Sequence, residues 1–193
     1  GGDGTNQQGV KIIYGSIKEP VMLGSGGGDK GSSDGGKGGG AIKLIVSGAM
    51  NVAGKISANG IASAWSGSCN IGGGGSGGSI WITSNSISGS GSITVNGGAA
   101  NTDCGNAAGG GGGGRISLNY TTKNFTGALE SKGGLAVGNG RDGGPGSVYT
   151  KAVGTNGDLV YDNTGTANTP DGNGKGKGYV VLDSSATFDN ITV

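Results

Sequence analysis

Apolar and polar residues alternate with period two wherever the chain has apolar residues to place. Ile42-Lys43-Leu44-Ile45-Val46 sets Ile42, Leu44 and Val46 on one side; Ile80-Trp81-Ile82 and Ile116-Ser117-Leu118-Asn119-Tyr120 repeat the pattern. Such alternation describes half-buried strands. Helix is excluded on the same pass. The longest glycine-free runs, Arg115–Thr126 and Tyr179–Val193, are rich in Thr, Val and Asn, and each interior glycine costs a helix about 1 kcal/mol.

The strands recur at a fixed period. Strand starts at Ala41, Ser79, Arg115 and Ser147 are separated by 38, 36 and 32 residues. Each unit reads polyglycine, strand, turn, short strand around a glycine, Asn-Gly or Gly-Gly, then a Gly/Ser/Asn-rich return. A single unit cannot bury its apolar face, but stacked copies can, with Ile42, Ile80, Ile116 and Val148 in one ladder and Leu44, Ile82 and Leu118 in the next. The pattern therefore predicts an all-β fold: a parallel β-solenoid of about 36-residue coils with a polyglycine-rich flank. Ile42, Leu44, Val46, Ile56, Ile80, Ile82, Ile93, Ile116, Leu118, Leu129 and Val148 are expected to point inward. The organisation is a lead-in with one or two strands over residues 1–37, the solenoid over 38–153, and a strand-rich extension over 154–193.

Composition changes the picture in two ways. With 51 glycines in 193 residues and 32% hydrophobic residues, the chain cannot fill a conventional core, so its apolar residues must form a thin repeated stripe. The glycine runs, such as Gly72–Gly75 and Gly109–Gly114, fall at one place in the unit. They form either flexible return loops or a packed layer of extended segments bonded sideways, in the manner of polyproline-II chains whose donors and acceptors are all available. The packed layer is the expectation. The chain also has no histidine, which removes Ser-His-Asp and Cys-His catalysis and His-ligated metals, and its net charge of +1 offers no basic face for nucleic acid. No apolar window is long enough to span a membrane.

The successions "GGGAIKLIVSGAMNVAGKISANG", "GGGGSGGSIWITSNSISGSGSITVNGG", "GGGGGGRISLNYTTKNFTGALESKGG" and "GPGSVYTK" resemble a glycine-rich repeat of large bacterial surface and extracellular proteins. The likeness covers about residues 38–193, with a weaker lead-in at Tyr14–Gly28. It implies a secreted, repetitive scaffold and supplies no catalytic residue. A more distant likeness, carried by the glycine runs alone, is to glycine-rich sandwiches of phage adhesins and a receptor ectodomain.

Cys69 and Cys104 lie 35 residues apart, in equivalent return segments of neighbouring coils. In the extracellular setting that the resemblance implies, a disulfide is expected; the other reading is two free thiols. Asp3, Asp29, Asp34, Asp142 and Asp171 sit beside glycines, as turn residues do. Gly-Asp turns hold calcium in some β-rolls, but the spacing of calcium loops is absent, so no cofactor is expected, with calcium the one alternative. Asp158 with Asp162, or Asp183 with Asp189, are the carboxylate pairs that a polysaccharide-cleaving enzyme would need, and nothing in the sequence raises their pKa; no enzyme activity is expected.

Trp81, outward on its strand, is expected either to cover the glycine layer or to serve as a sugar-stacking platform or a contact to another subunit. The stretch 179–193 regains strand character and ends on "ITV" without a polar cap. It is expected either to mark a cut from a longer protein or to pair with a neighbouring copy by strand addition through Tyr179, Val181, Phe188 and Ile191. The first residues, Gly1-Gly2-Asp3-Gly4, lack the pattern of a signal peptide, so an exported form would be mature or excised. The functional expectation is a structural extracellular or cell-surface protein, a filament subunit or the stalk of a surface protein. Its partners would be copies of itself. The alternative is a carbohydrate- or surface-binding adhesin module that engages surface glycans.

Overall fold

The computed structural model describes residues 15–64, 70–101, 107–162 and 187–193, and among these there is no helix. The strands are β1 (Ala41–Asn51), β2 (Lys55–Ser57), β3 (Ser79–Gly89), β4 (Ser92–Thr94), β5 (Arg115–Phe125), β6 (Ala128–Glu130), β7 (Ser147–Ala152), β8 (Asp158–Val160) and β9 (Asn190–Thr192). They form a long sheet in the order β1-β3-β5-β7-β8-β9 and a short sheet in the order β2-β4-β6. The first four strands of the long sheet and all of the short sheet are parallel, with one strand of each in the first three coils and β7 alone in the fourth. This is a β-solenoid.

The ladders follow the alternation. Ile42 pairs with Ile80, Ile80 with Ile116 and Ile116 with Val148; Leu44, Ile82, Leu118 and Thr150 form the next rung. Ile56, Ile93 and Leu129 face them from the short sheet. Ile80, Ile82, Ile93 and Ile116 are fully buried, Leu118 and Val148 nearly so, and Ile42, Leu44, Ile56 and Leu129 are half-buried against them. Val46 departs from the expectation. Its rung runs through Ser84, Tyr120 and Ala152 at mid-strand, and Val46, half-buried, lines an open depression there and is not among the side chains packed on the core cluster. A one-residue bulge after Val46 bends the strand there.

The glycine runs form a packed layer. In residues 73–78 successive N–H groups donate to three different neighbours in rotation. Gly73 and Ser76 donate to Gly28 and Ser25, Gly74 and Gly77 to Gly109 and Gly112, and Gly75 and Gly78 to Ile61 and Ala58, all at 2.8–3.0 Å. A threefold rotation of donors is the signature of a polyproline-II helix, which has three residues per turn and no internal hydrogen bonds. Inbound segments 35–40, 72–78, 109–114 and 141–146 stack on one another. Outbound segments 58–63, 95–100 and 131–135 stack beside them, and the two stacks bond directly to each other. A Cβ on Gly75 would strike the Lys37 carbonyl oxygen, one on Gly111 that of Gly75, and one on Gly143 that of Gly111. Each coil is thus a wedge. Its two layers are held apart by side chains at the strand end and meet backbone to backbone at the glycine end.

The stack ends by a change of chain path. In coils one to three the chain crosses from the long sheet to the short one. After Ala152 it turns back instead, with Gly154 (φ 85°) and Gly157 (φ 89°) in the left-handed region, and β8 pairs antiparallel with β7. In the glycine layer, Gly39, Gly77 and Gly113 donate to Ser76, Gly112 and Gly144 of the following coil. By strand register their counterpart is Pro145, which has no N–H to give.

Gly111→Ala should lower stability by about 1–3 kcal/mol or more, because the methyl meets backbone that cannot yield. Gly112→Ala, where the nearest atom is the Gly144 oxygen at 3.8 Å, should change it by less than about 0.5 kcal/mol. Urea unfolding of the two variants checks the contrast.

Candidate interaction surfaces

Residues 16–28 form a strap across the outer face of the long sheet, against the direction of stacking. The Ser117 hydroxyl donates to Lys18 O at 2.7 Å, the Ser79 hydroxyl donates to Met22 O at 2.6 Å, and Ser25 N–H donates to Ser76 Oγ at 2.7 Å. Gly24 N–H then reaches Gly39 O in the first coil. Ser79 and Ser117 lie at outward positions yet are buried, because the strap covers them. At the far end Ile17 and Phe188 pack on Tyr149, Leu159 and Tyr161, a separate small core on the outer face. The Lys18 ammonium lies 5.2 Å from the Phe188 ring centroid and 5.8 Å from that of Tyr149, within cation–π range.

The described part of the C-terminal segment, 187–193, joins its own chain. β9 pairs with β8 in parallel, and Phe188 meets Tyr149 edge to face at 5.8 Å. Asp189 fastens the segment. Its carboxylate accepts the N–H groups of Asn156 (2.9 Å) and Gly157 (3.0 Å) and the Asn156 side-chain amide (3.0 Å). The Gly157 N–H first, then these other donors, hold its carboxyl below the ordinary 3.8. Tyr149 donates to Asn156 O at 2.6 Å; burial, then the nearby Asp189 charge, pushes its phenol above 10.0. Burial raises Tyr161 as well, against the opposing charge of Arg115.

The two ends of the stack differ. At the first coil β1 is an edge strand among the described residues, and Ile42, Leu44, Met50 and Ile56 are only half-buried, whereas their second-coil partners Ile80, Ile82, Ile87 and Ile93 are at most 1% exposed. Ile45, on the outer side of β1, is 72% exposed. At the last coil β8 and β9 cover the long sheet, while the short sheet ends at β6. A groove of about 490 Å³ opens there over Leu129, Val148 and Val160, with Lys132 and Asp158 at its rim. A second copy stacked head to tail would have to seat its β1 beside β7 and its β2 beside β6 at one level. β8 already holds the first of those seats.

Of the residues singled out from sequence, Cys69, Cys104, Tyr179 and Val181 lie outside the described residues, so the disulfide falls there too. Trp81 is half-buried on the outer face. The Lys43 ammonium sits 3.8 Å from its ring centroid, and its indole N–H is buried without a partner among the described residues. One face of the ring is therefore taken by a lysine from the neighbouring rung. Phe188 is used within the chain, and Ile191 is 46% exposed. Asp29 accepts the Gly35 N–H (2.7 Å) and Asp142 the Ala136 N–H (2.6 Å), both within their own turns. Asp158 takes the Asn190 amide at 2.7 Å. Among the described residues no group of three or more His, Cys, Asp or Glu side chains converges as metal ligands, and no helix is long and apolar enough to cross a membrane. The strap was not legible in the sequence: it has no period, and its hydrogen bonds join residues up to 169 positions apart. No protein family, curated protein or solved structure matches this chain.

Asp189→Asn should speed amide hydrogen exchange at residues 190–192 at neutral pH. Because the folded carboxyl has a lowered pKa, its contribution is complete above 3.8 and lost as pH falls through the folded value; the variant and the parent should therefore converge in strong acid. In alkaline ultraviolet titration Tyr149 and Tyr161 should ionise later than a free phenol. With both folded pKa values raised, stability should fall as pH climbs past 10.0.

Proposed function

We propose that the protein is a structural component of an extracellular assembly, a filament subunit or the stalk of a surface protein, that joins other chains by strand addition. The observation that carries this reading is the first coil. Among the described residues an eleven-residue parallel strand with a half-covered core lies at the edge of the long sheet, and such an edge is a template for another chain. The wedge-shaped coil supports it too, since coil-on-coil ladders and a bonded glycine layer make a stiff rod without a large core. The bacterial surface-protein repeat that the sequence resembles belongs to the same reading. The carbohydrate-binding alternative draws less support, because one face of the Trp81 ring is already taken by the Lys43 ammonium.

Direct imaging of the native material, with a glycan array and a reducing-sugar assay on the isolated chain, tests the proposal. Ordered rods or fibres with neither glycan binding nor sugar release are the expected result. Saturable binding to defined glycans would move the protein to the adhesin class, and sugar release would overturn both readings.

A further inference from the structure

Most glycines of the stacked segments have one of two physical reasons to be glycine, a left-handed backbone or a carbonyl oxygen where a Cβ would stand; Gly26, Gly48 and Gly112 have neither and lie outside the two crossings between coils. Within the repeat the second reason has a direction. A Cβ on Gly78 would strike Gly40 O, one on Gly114 would strike Gly78 O, and one on Gly146 would strike Gly114 O; at the other crossing, Gly91 faces Gly54 O and Gly127 faces Gly91 O. Each coil needs glycine at these two places because the preceding coil presents a carbonyl to it.

Gly40 and Gly54 occupy the same places in the first coil. Neither has a positive φ, and a Cβ at either would meet nothing within 4 Å. Neither reason operates inside the described chain. The half-covered side chains of the same rung, Ile42, Leu44 and Ile56, lie on the same open side. By register, the N–H groups of Ala41 and Lys55 are the counterparts of those of Ser79 and Ser92, which donate to Gly40 O and Gly54 O at 3.0 and 2.9 Å.

We propose that the first coil is a seat for a parallel β-rung carried by another polypeptide. The rung is an extended strand with a glycine ahead of it and alternating apolar residues, followed by a turn and a short strand. Its carbonyls would face Gly40 and Gly54 and accept from Ala41 and Lys55, and its apolar residues would cover Ile42, Leu44 and Ile56. The tail of a second copy does not fit this seat, because β8 closes the long sheet there. The inference rests on the scaffold reading above and names its joining surface and the kind of partner.

The probe is a labelled synthetic peptide of residues 77–95, the strand half of the second coil with β3 and β4, titrated into the full chain and followed by fluorescence anisotropy. Saturable binding is expected. The double variant Gly40→Ala/Gly54→Ala should keep or slightly raise the melting temperature, since both sites are sterically open and the unfolded chain is restricted. The same variant should weaken peptide binding by about tenfold or more, as its methyls meet the incoming carbonyls. Gly78→Ala, by contrast, should lower the melting temperature. Equal binding by the double variant and the parent, or no binding by the folded parent, overturns the proposal while leaving rods or fibres seen by imaging to stand on their own. A concentration-dependent dimer in light scattering that the double variant dissociates would overturn the parallel rung in favour of a second copy joined first coil to first coil.

Discussion

The structure depends on one close approach: a carbonyl oxygen of one segment lying where the Cβ of its neighbour would be. At Gly75, Gly98, Gly111 and Gly143 that oxygen belongs to backbone, so no rotamer change could make room for a side chain. The approach brings the N–H groups of residues 73–78 within reach of three neighbouring segments and satisfies donors that glycine-rich chains otherwise leave to water. The conformational entropy lost on ordering so many glycines is large. It is offset by hydrogen bonds made in every lateral direction and by an apolar stripe at the other end of the coil.

The wedge explains how 32% hydrophobic residues suffice. Only the strand half of each coil needs a side-chain core, and there a few residues suffice: Ile80, Ile82 and Ile87 on β3, Ile93 on β4, and Ile116 and Leu118 on β5 are at most 1% exposed. Asparagines mark the seam between the halves. Asn59 Oδ1 accepts the Asn96 N–H, and Asn96 Oδ1 accepts the Lys132 N–H, both at 2.8 Å, so side-chain amides continue the ladder where the short sheet stops. Ser63 does the same for Asn101 one turn further on.

Segments outside the repeat determine how the stack is held and finished. The strap ties the fourth coil to the third, second and first through main-chain carbonyls and serine hydroxyls, and so restrains sliding of one coil over the next. The hairpin that carries β8, and Pro145 in the glycine layer, halt the ladder on one side. Among the described residues the opposite side keeps β1 as an edge, so the two ends of the stack differ.

The period-two alternation and the 32- to 38-residue spacing determined the strand starts, the parallel register and the inward set, because in a solenoid each rung repeats a local pattern. Val46 follows the same alternation and is half-buried like Ile42 and Leu44, but its rung holds Ser84 and opens on a depression, which only the stacked coils reveal. The packing of the glycine runs was suggested by their recurrence; the threefold rotation of their hydrogen bonds appears only when neighbouring segments are in place. The strap, the partnership of Phe188 with Tyr149 and the fastening of Asp189 were invisible in the chain. They join residues far apart in sequence through single hydroxyls, carbonyls and rings that follow no period. Local repetition is written in the sequence because every coil must satisfy the same constraint. The means of binding and ending the stack occur once each, and tertiary contact alone determines them.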